Sequence, residues 1–216
     1  GQHGGDFVHD FFGQKRSQSQ KNEKRIERMK FLILSDIHGS AACLETALNS
    51  FETSCDAIIL CGDYLNHGPR NPLPEGWDTK KTAELLNQRK EKILCVRGNC
   101  DSEVDQMMLN FPCLNAYTTL ALPSPNGIRR IFIHHGHLYS HEDLSLWLPK
   151  GSIVISGHTH ITLIEEKDGL LYFNPGSISL PKCDDGKTCG ILEVENGKAK
   201  IGLYSINGKL IKKADF

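Results

Sequence analysis

The sequence has no long apolar run. None of its hydrophobic stretches approaches the roughly 20 consecutive residues that an α-helix needs to cross a bilayer. The first residues also lack the basic and then apolar pattern of a secretory signal. We therefore expect a protein that has no membrane partner and a cytoplasmic location.

An excess of charge of one sign is missing as well. The 216 residues contain 25 lysines and arginines against 26 aspartates and glutamates, which gives a net charge of −1. Broad, sequence-independent coating of DNA depends on an excess of cationic side chains that neutralise phosphates. The balance of charges therefore argues against a nucleic acid as partner.

The sequence has eight cysteines but no Cys-x-x-Cys pair. Cys61 and Cys95 lie in apolar, strand-like runs, and Cys43 lies in a helix-like stretch. Cys183 and Cys189 have the spacing of a ligand pair, but their segment CDDGKTC is typical of a loop. This placement favours buried, reduced thiols over a disulfide framework or a cysteine-based zinc site.

A change of composition after residue 28 divides the chain. Residues 1–28 are rich in Gly, Gln, Lys and Arg, and we interpret them as a leader or an added extension. A basic arm that binds a partner is the alternative. From Met29 onward an apolar run begins, and we predict that residues 29–216 form a single domain.

After residue 28, short apolar runs end in polar, glycine-containing loops, and helical stretches often follow. This pattern is typical of strand–helix units with buried parallel strands. The predicted strands are 31–34, 57–61, 93–96, 131–133 and 153–155, and the predicted helices are 41–51, 79–92 and 102–109. Ser40 is the expected N-cap of the first helix. After Thr162, three Asp-Gly or Asn-Gly turns predict β-hairpins.

Metal-ligand residue types follow five of the predicted strands. The segments are Asp36-Ile37-His38, Gly62-Asp63, Gly98-Asn99, His134-His135-Gly136-His137 and Gly157-His158-Thr159-His160. Ligands of open α/β sheets bind at the carboxyl ends of the strands, so these loops are expected at one edge of the fold. The mixed oxygen and nitrogen donors suit Mn, Fe, Zn or Ni. Their number exceeds one tetrahedral site and fits two metals.

The order of these motifs resembles the calcineurin-like metallophosphoesterase superfamily. The stretches LNHGPRNPLPEG, VRGNCDSEVDQM and FNPGSISLPK make the chain most similar to a group of small bacterial phosphodiesterases within it. The resemblance implies an α/β fold, a four-layer αββα sandwich of two mixed β-sheets flanked by helices. It also implies a dinuclear metal site at one edge of the sandwich.

The resemblance assigns a role to each candidate ligand. It implies one metal held by Asp36, His38, Asp63 and His160, and a second held by Asp63, Asn99, His135 and His158. Asp63 is then the bridging ligand. We expect two divalent ions, Mn²⁺ first, with Zn²⁺, Fe²⁺ and Ni²⁺ as alternatives. In the implied mechanism, a hydroxide that bridges the two metals attacks phosphorus, so Asp63 and Asn99 count as catalytic residues.

The sequence departs from the superfamily pattern at Cys100. Many members have a histidine there, which protonates the leaving group. Two divalent ions would lower the pKa of this thiol, which makes it a poor general acid. His67 and His137 are candidate substitutes. Arg70 is a candidate for gripping a phosphate oxygen, with a loop salt bridge as the alternative.

We therefore predict a metal-dependent phosphodiesterase that acts on a small-molecule or nucleotide diester. A non-catalytic protein-interaction scaffold on the same fold and a nuclease are the alternatives. The complete set of ligands favours the enzyme over the scaffold. Small size and an acidic body argue against the nuclease. Assembly into a homo-oligomer stays open.

Overall fold

The fold is built from two β-sheets, which a computed structural model describes over residues 28–124 and 127–216. The predicted leader, apart from Arg28, lies outside the described residues. The strands are β1 Arg28–Leu34, β2 Ala57–Leu60, β3 Ile93–Cys95, β4 Tyr117–Ser124, β5 Gly127–His134, β6 Ile153–Ile155, β7 Thr162–Lys167, β8 Leu170–Pro175, β9 Thr188–Glu195, β10 Lys198–Ser205 and β11 Leu210–Asp215. The α-helices are α1 Ala41–Phe51, α2 Thr79–Asn87, α3 Glu103–Met108 and α4 His141–Trp147.

Both sheets are mixed. The first has the strand order β11-β10-β9-β1-β2-β3, in which β1, β2 and β3 are parallel and the other pairs are antiparallel. The second has the order β4-β5-β6-β8-β7, in which β5, β6 and β8 are parallel. The parallel strands of each sheet are neighbours, at one side of the first sheet and in the middle of the second, and their carboxyl ends bring the loops that follow them together.

Three apolar clusters define four layers. Ile33 and Ile59 of the first sheet pack with Ile133, Ile155 and Phe173 of the second, which fixes the two sheets face to face. Helices α1 and α2 pack on the outer face of the first sheet. Helix α4 packs on the outer face of the second sheet. The predicted αββα sandwich is confirmed.

Most local elements follow the predicted pattern. Ser40 is the N-cap of α1, and its Oγ accepts a hydrogen bond from the backbone N–H of Cys43. Asp168 and Asn196 have positive φ, as two-residue hairpin turns require, and the hairpins β7–β8, β9–β10 and β10–β11 are confirmed.

Three elements differ from the prediction. Helix α2 ends at Asn87, not at residue 92: the N–H of Arg89 donates to the carbonyl of Leu86, and Lys90–Lys92 form a separate 3₁₀-helix. Strand β4 and helix α4 were not predicted. The alternating burial of β4 gives it a half-exposed face, and the capping box of α4, formed by Ser140 and Asp143, is its clearest sequence signal.

All eight cysteines are free, and six of them are buried. Within the described ranges, no helix is both long enough and apolar enough to span a bilayer.

Candidate metal centre

Five loops carry the candidate ligands to one edge of the sandwich. The first three loops follow β1, β2 and β3, and the other two follow β5 and β6 of the second sheet. Backbone hydrogen bonds hold neighbouring loops together: the N–H of His38 donates to the carbonyl of Asp63, and the N–H of Gly157 donates to the carbonyl of His135. The two groups of loops meet where the N–H of His158 donates to Oδ2 of Asp36.

The backbone at this edge is strained. Seven non-glycine residues in the described part of the chain have positive φ, and two of them lie in hairpin turns. The other five are candidate ligands, namely Asp36, His38, Asp63, His158 and His160. Such conformations cost free energy and concentrate at functional sites, where the surrounding structure holds them. The concentration of positive-φ residues at this edge therefore indicates a functional site, in which the positions of the side chains matter.

Two glycines allow the loops to approach closely. A Cβ at Gly98 would lie 2.0 Å from Oδ1 of Asp63, and a Cβ at Gly157 would lie 1.9 Å from Oγ of Ser35. Any side chain at these positions would displace a candidate ligand or its support.

The first ligand group consists of Asp36, His38 and His160. Nε2 of His160 is 3.2 Å and Nε2 of His38 is 3.7 Å from Oδ1 of Asp36, and the two Nε2 atoms are 3.2 Å apart. All three residues are buried. Their ligand atoms converge on one point in the interior.

Backbone carbonyls fix the orientation of three imidazoles. In each case Nδ1 lies within hydrogen-bond distance of a carbonyl oxygen and must donate to it. The pairs are His38 with Asn66 at 2.8 Å, His135 with Cys61 at 2.6 Å, and His160 with Leu180 at 2.5 Å. In the neutral ring the lone pair is then at Nε2, which is the arrangement of metal-binding histidines.

The second ligand group consists of Asn99, His135 and His158. Oδ1 of Asn99 is 3.1 Å from Nε2 of His135 and 2.7 Å from Nδ1 of His158. Burial lowers the pKa of His158, which keeps its ring neutral at pH 7.

Asp63 lies between the two groups. Its Oδ2 is 3.7 Å from Nε2 of His38 and 3.5 Å from Nε2 of His135. Its Oδ1 accepts a hydrogen bond of 2.8 Å from the backbone N–H of Cys100. One carboxylate oxygen is therefore held by the protein, and the other faces both groups.

The charges of Asp63 and His135 are coupled. Burial raises the pKa of Asp63, but the hydrogen bond and the charge of His135 outweigh burial and hold this pKa well below its usual range. Burial lowers the pKa of His135, but Asp63 and Asp36 raise it to about 9. The site therefore favours a positive charge next to its two carboxylates.

The donor set fits divalent metal ions. Oδ1 of Asp36 is buried and has no hydrogen-bond partner among the described residues. Burying a carboxylate oxygen without a hydrogen-bond partner costs free energy. The nearby imidazole nitrogens present lone pairs and not hydrogens, so a bound cation is the group that could interact favourably with both the oxygen and the nitrogens. Ligand atoms of Asp36, Asp63 and His135 also lie within 4.8 Å of one another, so the two groups are adjacent.

Supporting residues that the sequence did not indicate hold the ligands in place. Ser35 donates to Oδ2 of Asp36 at 2.6 Å. Ser177 and Ser179 both donate to the carbonyl of Asp36. Asp101 accepts hydrogen bonds from three backbone N–H groups of the loops after β2 and β3. Serine and aspartate are common in loops, so only closeness in sequence to a candidate ligand could have pointed to Ser35, which precedes Asp36, and to Asp101, two residues after Asn99.

A cleft of about 500 Å³ opens onto the ligands. Its wall includes Cys100 and Arg70 of the predicted catalytic set, and Lys182, which the sequence did not single out. Burial and the Asp63 carboxylate raise the pKa of the Cys100 thiol to about 12. From the sequence we expect bound cations to lower the pKa of Cys100. The groups of the protein itself raise this pKa.

The two candidate substitutes for a general acid lie apart from each other. The ring of His137 is 5.3 Å from that of His135 and is exposed beside the second ligand group. His67 packs edge-on against Trp77 at 6.1 Å and lines a neighbouring cleft of about 300 Å³. The contacts therefore place the ring of His137 beside the second ligand group and the ring of His67 beside Trp77.

Comparison with known proteins identifies relatives that match most of the chain. A family described as the calcineurin-like phosphoesterase superfamily domain matches residues 29–197. The phosphodiesterase YfcE of Escherichia coli strain K12 is 42% identical over 166 residues, which are 76% of this chain and 88% of that protein. The probable metallophosphoesterase YsnB of Bacillus subtilis is 28% identical over 198 residues, 85% of this chain and 95% of that protein.

Solved structures give the same result. YfcE, a phosphoesterase from E. coli, superposes with a TM-score of 0.78 at 38% identity and covers 86% of this chain and 98% of its own. Vps29 of Entamoeba histolytica, solved with Zn²⁺, has a TM-score of 0.60 at 22% identity and covers 87% of this chain and 99% of its own. At that identity the likeness to Vps29 concerns the fold alone. The family resemblance predicted from the motifs is confirmed.

Proposed function

The chain belongs to the calcineurin-like phosphoesterase superfamily, and from this premise we propose that it is a phosphoric diester hydrolase with a dinuclear metal site. The substrate is a small-molecule or nucleotide diester, in agreement with the phosphodiesterase activity for which its relative YfcE is named. The position of Asp63 carries the proposal, because its Oδ2 lies 3.7 Å from His38 and 3.5 Å from His135, one residue from each ligand group.

Seven residues would hold the two ions. Asp36, His38 and His160 belong to the first site, Asn99, His135 and His158 belong to the second, and Asp63 belongs to both. The chemistry that the ions supply when bound is a shared hydroxide nucleophile near neutral pH and neutralisation of the phosphate oxygens. Mn²⁺ is the ion we expect, and Zn²⁺, Fe²⁺ and Ni²⁺ are the alternatives.

The protein's own contribution is positioning. The three carbonyl-bound imidazoles keep their Nε2 atoms fixed, and Ser35 holds Asp36, so the ligand groups need little rearrangement during turnover. Arg70 in the cleft wall supplies a positive charge for an anionic substrate. We assign no proton-donor role to Cys100, because a thiol beside two divalent ions is a poor general acid.

Metal analysis combined with a substrate panel tests this function. The purified protein is assayed with and without added Mn²⁺ on diesters, monoesters, cyclic nucleotides and nucleic acid. We expect two equivalents of metal and hydrolysis of diesters. Metal binding without turnover of any substrate would favour the non-catalytic scaffold, and preferred cleavage of nucleic acid would favour the nuclease.

We also propose that residues 29–216 act as one metallophosphoesterase domain, because the last strand β11 is part of the first sheet. The cytoplasmic location and assembly into a homo-oligomer stay predictions.

A further inference from the structure

Two cationic side chains line the cleft beside the candidate ligands. Arg70 and Lys182 both form part of its wall, and both are exposed. Over residues 28–124 and 127–216, neither side chain takes part in an ion pair. Surface cations without a carboxylate partner are available to an anionic ligand.

Backbone hydrogen bonds connect the segments that carry both residues to the first ligand group. Arg70 belongs to the same loop as Asn66, whose carbonyl orients His38. The N–H of Lys182 donates to the carbonyl of His160 at 3.0 Å. Each cation is thus carried by a segment that is hydrogen-bonded to a candidate metal ligand.

The positive charge at the cleft would exceed the single negative charge of a simple phosphodiester. Among the residues that line it, Asp63 is the one carboxylate. If two divalent ions were held there, the carboxylates of Asp36 and Asp63, a hydroxide and the single negative charge of a phosphodiester would balance their charge. Arg70 and Lys182 would then have no counter-charge in the site, and a second anionic group on the substrate would provide it.

We propose that the substrate is a phosphodiester with a second anionic group, phosphate or carboxylate, on the substituent that is not the leaving group. Arg70 and Lys182 bind that second group. This inference rests on the proposed diesterase function and names the substrate class for it. It differs from a contact between Arg70 and the reacting phosphate, which would act equally on every diester.

Matched substrates isolate the second group. Thymidine 5′-(4-nitrophenyl phosphate) is compared with the same compound carrying a 3′-phosphate. A second arm compares 4-nitrophenyl propyl phosphate with 4-nitrophenyl 2-carboxyethyl phosphate and shows which anion is preferred. Because the leaving group is the same throughout, differences in kcat/KM report on the remote substituent. We expect the charged member of at least one pair to be favoured by about tenfold.

Neutral variants assign the preference to residues. Arg70→Gln and Lys182→Gln should each reduce the preference by about threefold or more, and the double variant should abolish it. Lys198→Gln is the charge-matched control, because Lys198 is exposed on β10 and does not line the cleft. An equal loss on both members of a pair, or no preference in either arm of the unmodified protein, would overturn the inference.

A binding measurement separates this inference from the proposed function. Calorimetric titration in Mn²⁺ compares thymidine 3′,5′-bisphosphate with thymidine 5′-phosphate as probes. We expect tighter binding of the bisphosphate, which the double variant loses. Absence of all diester turnover would refute the proposed function alone, whereas equal affinity for the two probes would refute the second anion site.

Discussion

The carboxylate of Asp63 uses its two oxygens for different purposes. Oδ1 is held by the backbone N–H of Cys100, and Oδ2 faces both His38 and His135. Replacing one oxygen of this side chain by an amide nitrogen should therefore affect both proposed metal sites together. For the other candidate ligands, a substitution should affect one site.

We predict that Asp63→Asn loses dinuclear occupancy and lowers kcat by more than about 100-fold, because the amide has no charge and its nitrogen cannot ligate. Metal content by mass spectrometry and kcat on an activated diester measure the effect. Asp184→Asn is the control, since Asp184 is exposed and lies outside the cleft wall. A variant with two metals and the original rate would refute the bridging role.

At Cys100 the prediction concerns the leaving group. General acid catalysis typically contributes about 10²–10⁴ in rate, and a thiol beside two divalent ions supplies little of it. Measured on aryl diesters of graded leaving-group pKa, log kcat/KM should fall steeply as that pKa rises. Activated diesters should therefore be much better substrates than alkyl esters or monoesters.

Two variants test the same position. Cys100→His should flatten the dependence if the imidazole reaches the leaving oxygen, and Cys100→Ser should change it little. If chemistry is rate-limiting and the unmodified protein already has a flat dependence, another residue donates the proton. His137, beside His135, would then be replaced first.

Among the secondary-structure elements, those with two independent signals could be predicted from sequence. Helix α1 combined an N-cap with a regular apolar face, and the hairpins combined Asp-Gly or Asn-Gly turns with flanking apolar residues. Strand β4 lacked both, because its residues alternate between half-exposed and exposed positions and depend on pairing with β5. The end of α2 carries no glycine or proline that would mark it in the sequence, and the contact of Arg89 with Glu52 near this end is tertiary.

The candidate site could be predicted where metal-ligand residue types come directly after a strand in the sequence. The candidate ligands were predicted in this way, and the structure brings all seven side chains to one edge of the sandwich. Ser177, Ser179 and Lys182 lie in the stretch FNPGSISLPK, which the sequence marked as similar to the family without assigning them a role. The contacts of the two serines with the carbonyl of Asp36, more than 140 residues away, and the position of Lys182 in the cleft wall follow only from the fold.

The cap of α1 gives a prediction at this scale. Ser40 is buried, accepts from the N–H of Cys43 and donates to the carbonyl of Glu75. Ser40→Ala should lower the free energy of unfolding by about 1–2 kcal/mol, because it leaves buried backbone groups unpaired. Urea unfolding measures this loss. Ser50→Ala in the same helix removes an exposed hydroxyl and should cost less than about 0.5 kcal/mol. Equal losses would contradict the capping role.

For the molecule as a whole, the ligand groups connect the two sheets. Asp36, His38 and Asp63 follow strands of the first sheet, whereas His135 and His160 follow strands of the second. The sheets are otherwise joined face to face mainly by apolar packing. A metal bound by residues from both sheets binds only the folded arrangement, so metal affinity contributes to global stability.

This connection predicts that metal controls stability and activity together. Exhaustive treatment with EDTA should abolish diester hydrolysis and lower Tm, and added Mn²⁺ should restore both. At a free concentration about 100 times Kd, binding to the folded state alone stabilises by about 2.7 kcal/mol per site, so Tm should rise steadily with Mn²⁺. Asp63→Asn should show a smaller rise, since it loses a ligand common to both sites, and Asp184→Asn should behave as the unmodified protein. Full activity and an unchanged Tm after confirmed removal of metal would contradict the dinuclear assignment. In that case no bound cation would offset the cost of burying Oδ1 of Asp36, which has no hydrogen-bond partner among the described residues.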